Sequence, residues 1–161
     1  MWALTARVRR EEWALVERLL TPSQLMLFRS MSRRDQHHGI DLVRTLQRQG
    51  HRDRALLRAA LLHDVGKAGH LRLWHRVAVV LVEQFAPAML HRLADDRPGS
   101  RGYPFFAHLN HPRLGAERAR EAGCDWLTVD LIQRHHEPAS AAGESERDRL
   151  SAALQAADRR V

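Results

Sequence analysis

The chain has 161 residues, 44% hydrophobic and 28% charged, with a formal net charge of +7. That length and balance fit one folded domain with a proper core, and the single cysteine, Cys124, excludes an internal disulfide. The longest apolar run, Val77 to Val82, falls far short of the roughly 20 residues that span a bilayer. Arg7, Arg9, Arg10, Glu11 and Glu12 interrupt any signal-peptide core, so a cytoplasmic location with no membrane span is expected. The arginine excess suits an anionic partner such as a small phosphorylated molecule. No basic block is interleaved with aromatics, so specific nucleic-acid binding is not indicated.

Taken in order, the chain predicts an all-α, single-domain bundle of about seven helices. Glu11 to Leu20 carries Trp13, Val16 and Leu19 at helical spacing. Thr21-Pro22-Ser23-Gln24 predicts a helix start, with threonine at the cap, proline first and glutamine closing a capping box. Asp35 is expected to open the next helix, with His37 and His38 in its first turn, Leu42 and Leu46 inside and Gly50 at its end. Asp53 to Asp64 is a further helix. The apolar stretch 71–94 predicts a core helix and a second segment from Pro87, part of it a possible homodimer contact. Asp95 to Pro104 is the clearest loop. His111-Pro112 is expected to start a helix that Gly123 closes, and Asp125 to cap the next, which ends at His135-His136-Glu137-Pro138. Ala139 to Ser145 reads as a small-residue linker before a final helix from about Glu146 to Asp158.

The stretch that organises the rest is Ala60-Leu61-Leu62-His63-Asp64-Val65-Gly66-Lys67. Among 26 basic residues Lys67 is the sole lysine. Either one codon drifted in an arginine-biased chain, or a compact ammonium is needed where a planar guanidinium does not serve. His63 and Asp64 cannot share a helix face, because successive residues turn by about 100°. They converge only if the helix ends there, as Gly66 and Gly69 suggest. An imidazole beside a carboxylate suits a divalent metal; it equally describes a buried histidine satisfied by its neighbour.

The chain holds 11 histidines. His38, His63-Asp64, His111, His135 and Asp158 each fall near an end of a different predicted helix, and a bundle can bring such ends to one point. In this order they resemble the HD-domain metal-dependent phosphohydrolases. The family's H…HD…D pattern corresponds to His38, His63-Asp64 and Asp158 over about residues 35–161, with 1–34 a helical extension packed on the core. His111-Pro112 and His135-His136-Glu137 are similar to the additional motifs of the HD-GYP branch, where added histidines hold a second metal. Gly102-Tyr103-Pro104 stands before His111 rather than after the HHE element, and is taken as a coincidence in a loop. The resemblance therefore does not imply cyclic-di-GMP hydrolysis. A glutamate that some relatives carry four residues before the first histidine is Arg34 here, which argues against a third metal.

The resemblance implies one or two divalent ions, with iron, manganese, zinc and magnesium all open, held by His38, His63, Asp64, His111, His135 and Asp158. It implies hydrolysis of a phosphate ester, a nucleotide or cyclic nucleotide included, by a metal-activated water, with Asp64 and Lys67 catalytic. The alternative is a non-catalytic HD-fold module that binds a nucleotide or a partner protein. His38 is preferred to His37 because Leu42 and Leu46 share its face, His135 to His136 because it follows Leu131 and Ile132 at inward spacing, and His111 to His108. His51, His70, His75 and His91 are read as structural or exposed, and Cys124 as a small buried residue.

Overall fold

The computed structural model describes residues 8–68, 79, 81–82, 84–137 and 145–161. Among the described residues there is no strand. Eight α-helices have described bounds, against about seven expected: α1 Arg10–Leu19, α2 Pro22–Arg29, α3 Arg33–Arg48, α4 Arg54–Leu62, α5 Pro87–Leu93, α6 Tyr103–Glu121, α7 Trp126–Arg134 and α8 Glu146–Asp158. One 3-10 turn, Val65–Lys67, follows α4. Among the described residues no helix is long and apolar enough to cross a membrane.

The helix starts are written in side chains that accept orphan N–H groups. The amide of Gln24 donates to Thr21 Oγ1 at 3.4 Å while that of Thr21 donates to Gln24 Oε1 at 3.1 Å, the expected capping box. Asp53 caps α4 through the amide of Leu56 at 2.8 Å, and Asp125 caps α7 through that of Thr128 at 2.9 Å. For α3 the cap is Ser32 rather than Asp35. Ser32 Oγ accepts from the Asp35 amide at 3.3 Å and donates to its carboxylate at 2.8 Å, so Asp35 lies one turn inside the helix.

The core is built around α4. Ala55, Leu56, Leu57 and the run Ala59 to Leu62 are all buried, as befits a helix that is polar only along the Arg54–Arg58 stripe. It packs against α1, α2, α3, α7 and α8. The 3-10 turn beyond it packs on α6, and the crossing is so close that a Cβ on Gly66 would run into the carbonyl of His111 and the amide of Gly115. Glycine is required at 66 for that approach, not for an unusual dihedral.

Two expectations fail in the same place. Gly102-Tyr103-Pro104 is not loop: Gly102 caps α6, and Tyr103 and Pro104 are its first two residues, where proline costs nothing because its missing N–H has no helical acceptor. His111-Pro112 therefore lies inside a 19-residue helix rather than starting one. Much of the 71–94 segment, and most of the linker after Pro138, fall outside the described residues. Of the former, Leu81, Phe85, Met89 and Leu93 are exposed. Cys124 is half-buried against the core, and burial pushes its thiol up to about 11.

Candidate metal centre

Six elements meet at one point. His38 comes from α3, His63 caps the C-terminus of α4, and Asp64 and Lys67 bracket the 3-10 turn. His111 comes from the middle of α6, His135 caps α7, and Asp158 is the last residue of α8. His38 Nε2 lies 2.8 Å from Asp158 Oδ1, and His63 Nε2 lies 3.7 Å from both Asp158 Oδ1 and Asp64 Oδ1. His111 Nε2 lies 3.6 Å from Asp64 Oδ1 and 3.2 Å from His135 Nε2. All six residues expected to hold metal thus meet. They form two donor clusters, His38–His63–Asp158 and His111–His135–His136, with Asp64 between them.

The three buried imidazoles are held in one way. His63 Nδ1 lies 3.0 Å from the carbonyl of Ala60, His111 Nδ1 2.6 Å from that of His108, and His135 Nδ1 2.6 Å from that of Ile132. A carbonyl only accepts, so each Nδ1 carries a proton and each Nε2 is the ring nitrogen turned to the site. Ala60 and Ile132 lie in the last turns of α4 and α7, where carbonyls lack helical donors. His108 is different, since it sits mid-helix. Its carbonyl takes no helical hydrogen bond from the residue four positions on, because that residue is Pro112, which has no N–H to give. The interior proline therefore supplies the acceptor that orients His111.

Burial pushes His111 down to about 2 and His135 down to about 3, so both are neutral near pH 7. At Asp64 burial acts to raise the pKa, but the opposing charges of His63, Lys67 and His111 outweigh it and hold the carboxyl well below the carboxylate range. Because His111 is neutral, the lasting countercharge there is Lys67, whose Nζ stands 2.7 Å from Asp64 Oδ1. That contact makes Lys67 the cationic partner of the buried Oδ1. Arg118 on α6 fastens the turn that carries Lys67, donating to the carbonyls of Val65 and Ala68 at 3.0 Å each.

Three Nε2 atoms and a carboxylate oxygen face one another in a buried space, with the single Lys67 ammonium as their cation. Neutral nitrogen and anionic oxygen donors at that density are what a divalent transition ion prefers. The residues present fit a bound metal.

The family model for the HD domain matches residues 36–160. The chain belongs to the HD-domain family. No curated protein and no solved structure matches it. HD domains bind divalent metals and are typically metal-dependent hydrolases, and in this HD domain the matched span takes in every residue of both clusters.

His136 was passed over in the sequence because a helix turns it away from His135. But α7 stops at Arg134, and the chain then bends so that both rings reach the same spot, 4.3 Å apart. A short helix ending before a His-His pair is the signal that would have found it. His37 and His108 line the cavity beside the site instead. His51 is half-buried and His91 exposed, while His70 and His75 lie outside the described residues.

Proposed function

We propose that this HD domain hydrolyses a phosphate ester, with divalent ions held by His38, His63, Asp64 and Asp158 on one side and by His111, His135 and Asp64 on the other. The observation that carries the reading is the set of three imidazoles locked by Nδ1 around the buried carboxylate of Asp64. A divalent ion there supplies an activated water and positive charge for phosphoryl oxygens.

The chain's own residues do the rest. The backbone carbonyls fix each Nε2 in place before any ligand arrives, so little reorganisation is needed. Asp64 stays ionised and is shared by both clusters. Lys67 lies in a half-exposed position beside it, where its ammonium can meet a non-bridging phosphate oxygen. A cavity of about 430 Å³ opens onto Asp64 and Lys67, within the range of small-molecule sites at roughly 300–1,000 Å³.

The test is release of phosphate or nitrophenol from a panel of phosphomonoesters and phosphodiesters, with manganese, magnesium, iron or zinc added singly. Turnover that a chelator abolishes and one of these ions restores is expected. No release from any ester by fully metal-loaded protein would overturn the reading in favour of a binding module.

A further inference from the structure

We infer that Arg34 is a second anion-binding point of this cavity, and that the ligand it selects carries two phosphate groups, one placed at Asp64 and Lys67 and the other at Arg34. The inference rests on the phosphate-ester reading of the site and adds the class of substrate.

Charged groups in the cavity wall come mostly from one face of α3. Arg34, His38 and Asp41 succeed one another at helical spacing, so Arg34 stands one turn from His38, with Cβ atoms about 5–6 Å apart. The acidic neighbours are already engaged. Asp35 is buried and bonded to Ser32 at 2.8 Å, and Asp41 is paired with Arg44 at 3.3 Å. Asp64 faces Lys67. Arg34 is exposed at the cavity, and among the described residues it has no carboxylate partner. Lys67 at the floor and Arg34 toward the mouth are thus two cationic points in one cavity. A guanidinium fork matches two oxygens of a phosphate.

Two cationic points select a ligand with two separated anionic groups, since one phosphate satisfies only one of them. Position 34 is also where a carboxylate would draw a cation; a guanidinium there draws an anion.

The experiment compares a nucleoside 3′,5′-bisphosphate with the matching 5′-monophosphate by equilibrium binding, with chelator present so that binding is measured without turnover. Wild type, Arg34→Ala, Arg34→Lys and Arg34→Glu are measured alongside thermal melts that report folding. Wild type is expected to bind the bisphosphate about tenfold to a hundredfold more tightly, the scale of one charge-assisted bidentate contact. Arg34→Ala should bring the ratio of the two affinities close to one, Arg34→Lys should keep part of it, and Arg34→Glu should invert it. Equal affinities in wild type, or an equal loss for both ligands in Arg34→Ala, would overturn the inference. An Arg34-dependent preference in a protein that hydrolyses no phosphate ester would sink the hydrolase reading and leave this one standing.

Discussion

The two donor clusters differ in how they balance charge without a metal. His38 and Asp158 are each about a quarter exposed and form a 2.8 Å pair, so this half of the site can satisfy itself. His111 and His135 are buried at 4% and 5% exposure, and their cluster contains no carboxylate of its own. Its Nε2 atoms face each other at 3.2 Å. The first cluster is a hydrogen-bonded pair that a cation would have to open; the second is preorganised and frustrated until something positive arrives. Asp64 joins them, which makes it the residue whose loss collapses the distinction.

The largest effect is therefore expected at Asp64. Asp64→Ala removes the only carboxylate shared by both clusters, and turnover on phosphate esters should fall to background. Activity within tenfold of wild type would mean that the clusters work separately.

Next comes Lys67. Lys67→Ala should lose about 2–4 kcal/mol of transition-state stabilisation, by the scale of other preorganised donors. Lys67→Arg should not rescue it, because the planar fork cannot occupy the place of a compact ammonium 2.7 Å from Asp64 Oδ1. Metal content should be undiminished in both variants, since removing an ammonium from Asp64 takes away a competitor rather than a ligand. Turnover numbers beside elemental analysis decide it, and wild-type rates in Lys67→Arg would reduce the lone lysine to codon drift.

A subtler break separates the clusters by orientation alone. Pro112→Ala gives residue 112 an N–H that competes with His111 for the carbonyl of His108. Loss of such an orienting contact typically costs about tenfold to a hundredfold in metal affinity. Only the ion at His111 and His135 should weaken. The same change regularises α6, so the metal-free protein should melt no lower than wild type. A lower melting temperature with unchanged metal affinity would show that Pro112 serves packing instead.

The clusters should also respond to pH with opposite signs in the metal-free protein. His111 and His135 are held near 2 and 3, below the ordinary 6.5, so the unfolded chain binds more protons in that window. Stability should fall as pH drops from about 6.5 towards 3, by up to about 1.4 kcal/mol per pH unit for each histidine. His38 is raised by its hydrogen bond to Asp158, so that contribution is complete below 6.5 and lost as pH rises through its folded pKa. At the acid end it is lost again as Asp158, whose pKa is lowered, takes up a proton. Melts of wild type, His38→Ala and His135→Ala across pH separate these effects. A His135→Ala variant with the wild-type acid slope would contradict the burial of a neutral ring there.

What was legible in the sequence follows the same physics. The Thr21 and Asp125 caps were visible because a capping side chain acts locally. The buried α4 running into His63-Asp64 and Gly66-Lys67 was visible because apolar periodicity and a stop coincide. Pro112 misled because proline at a helix start and proline at an orienting kink look alike in one dimension; only the carbonyl of His108 in space tells them apart. The helix start belonged to Pro104, in the tripeptide set aside as loop. His136 was ranked below His135 because helical spacing was carried past the true end of α7. Ser32 was overlooked in favour of Asp35, although both residues take part in that cap.

Metal stoichiometry tests most directly whether Asp64 joins two metal positions. Elemental analysis of purified wild type, His135→Ala and Asp64→Ala, each reconstituted with one divalent ion and freed of excess, should give two ions per chain, then one, then none. Wild-type stoichiometry in Asp64→Ala would contradict the shared site, and unchanged stoichiometry in His135→Ala would contradict the second position.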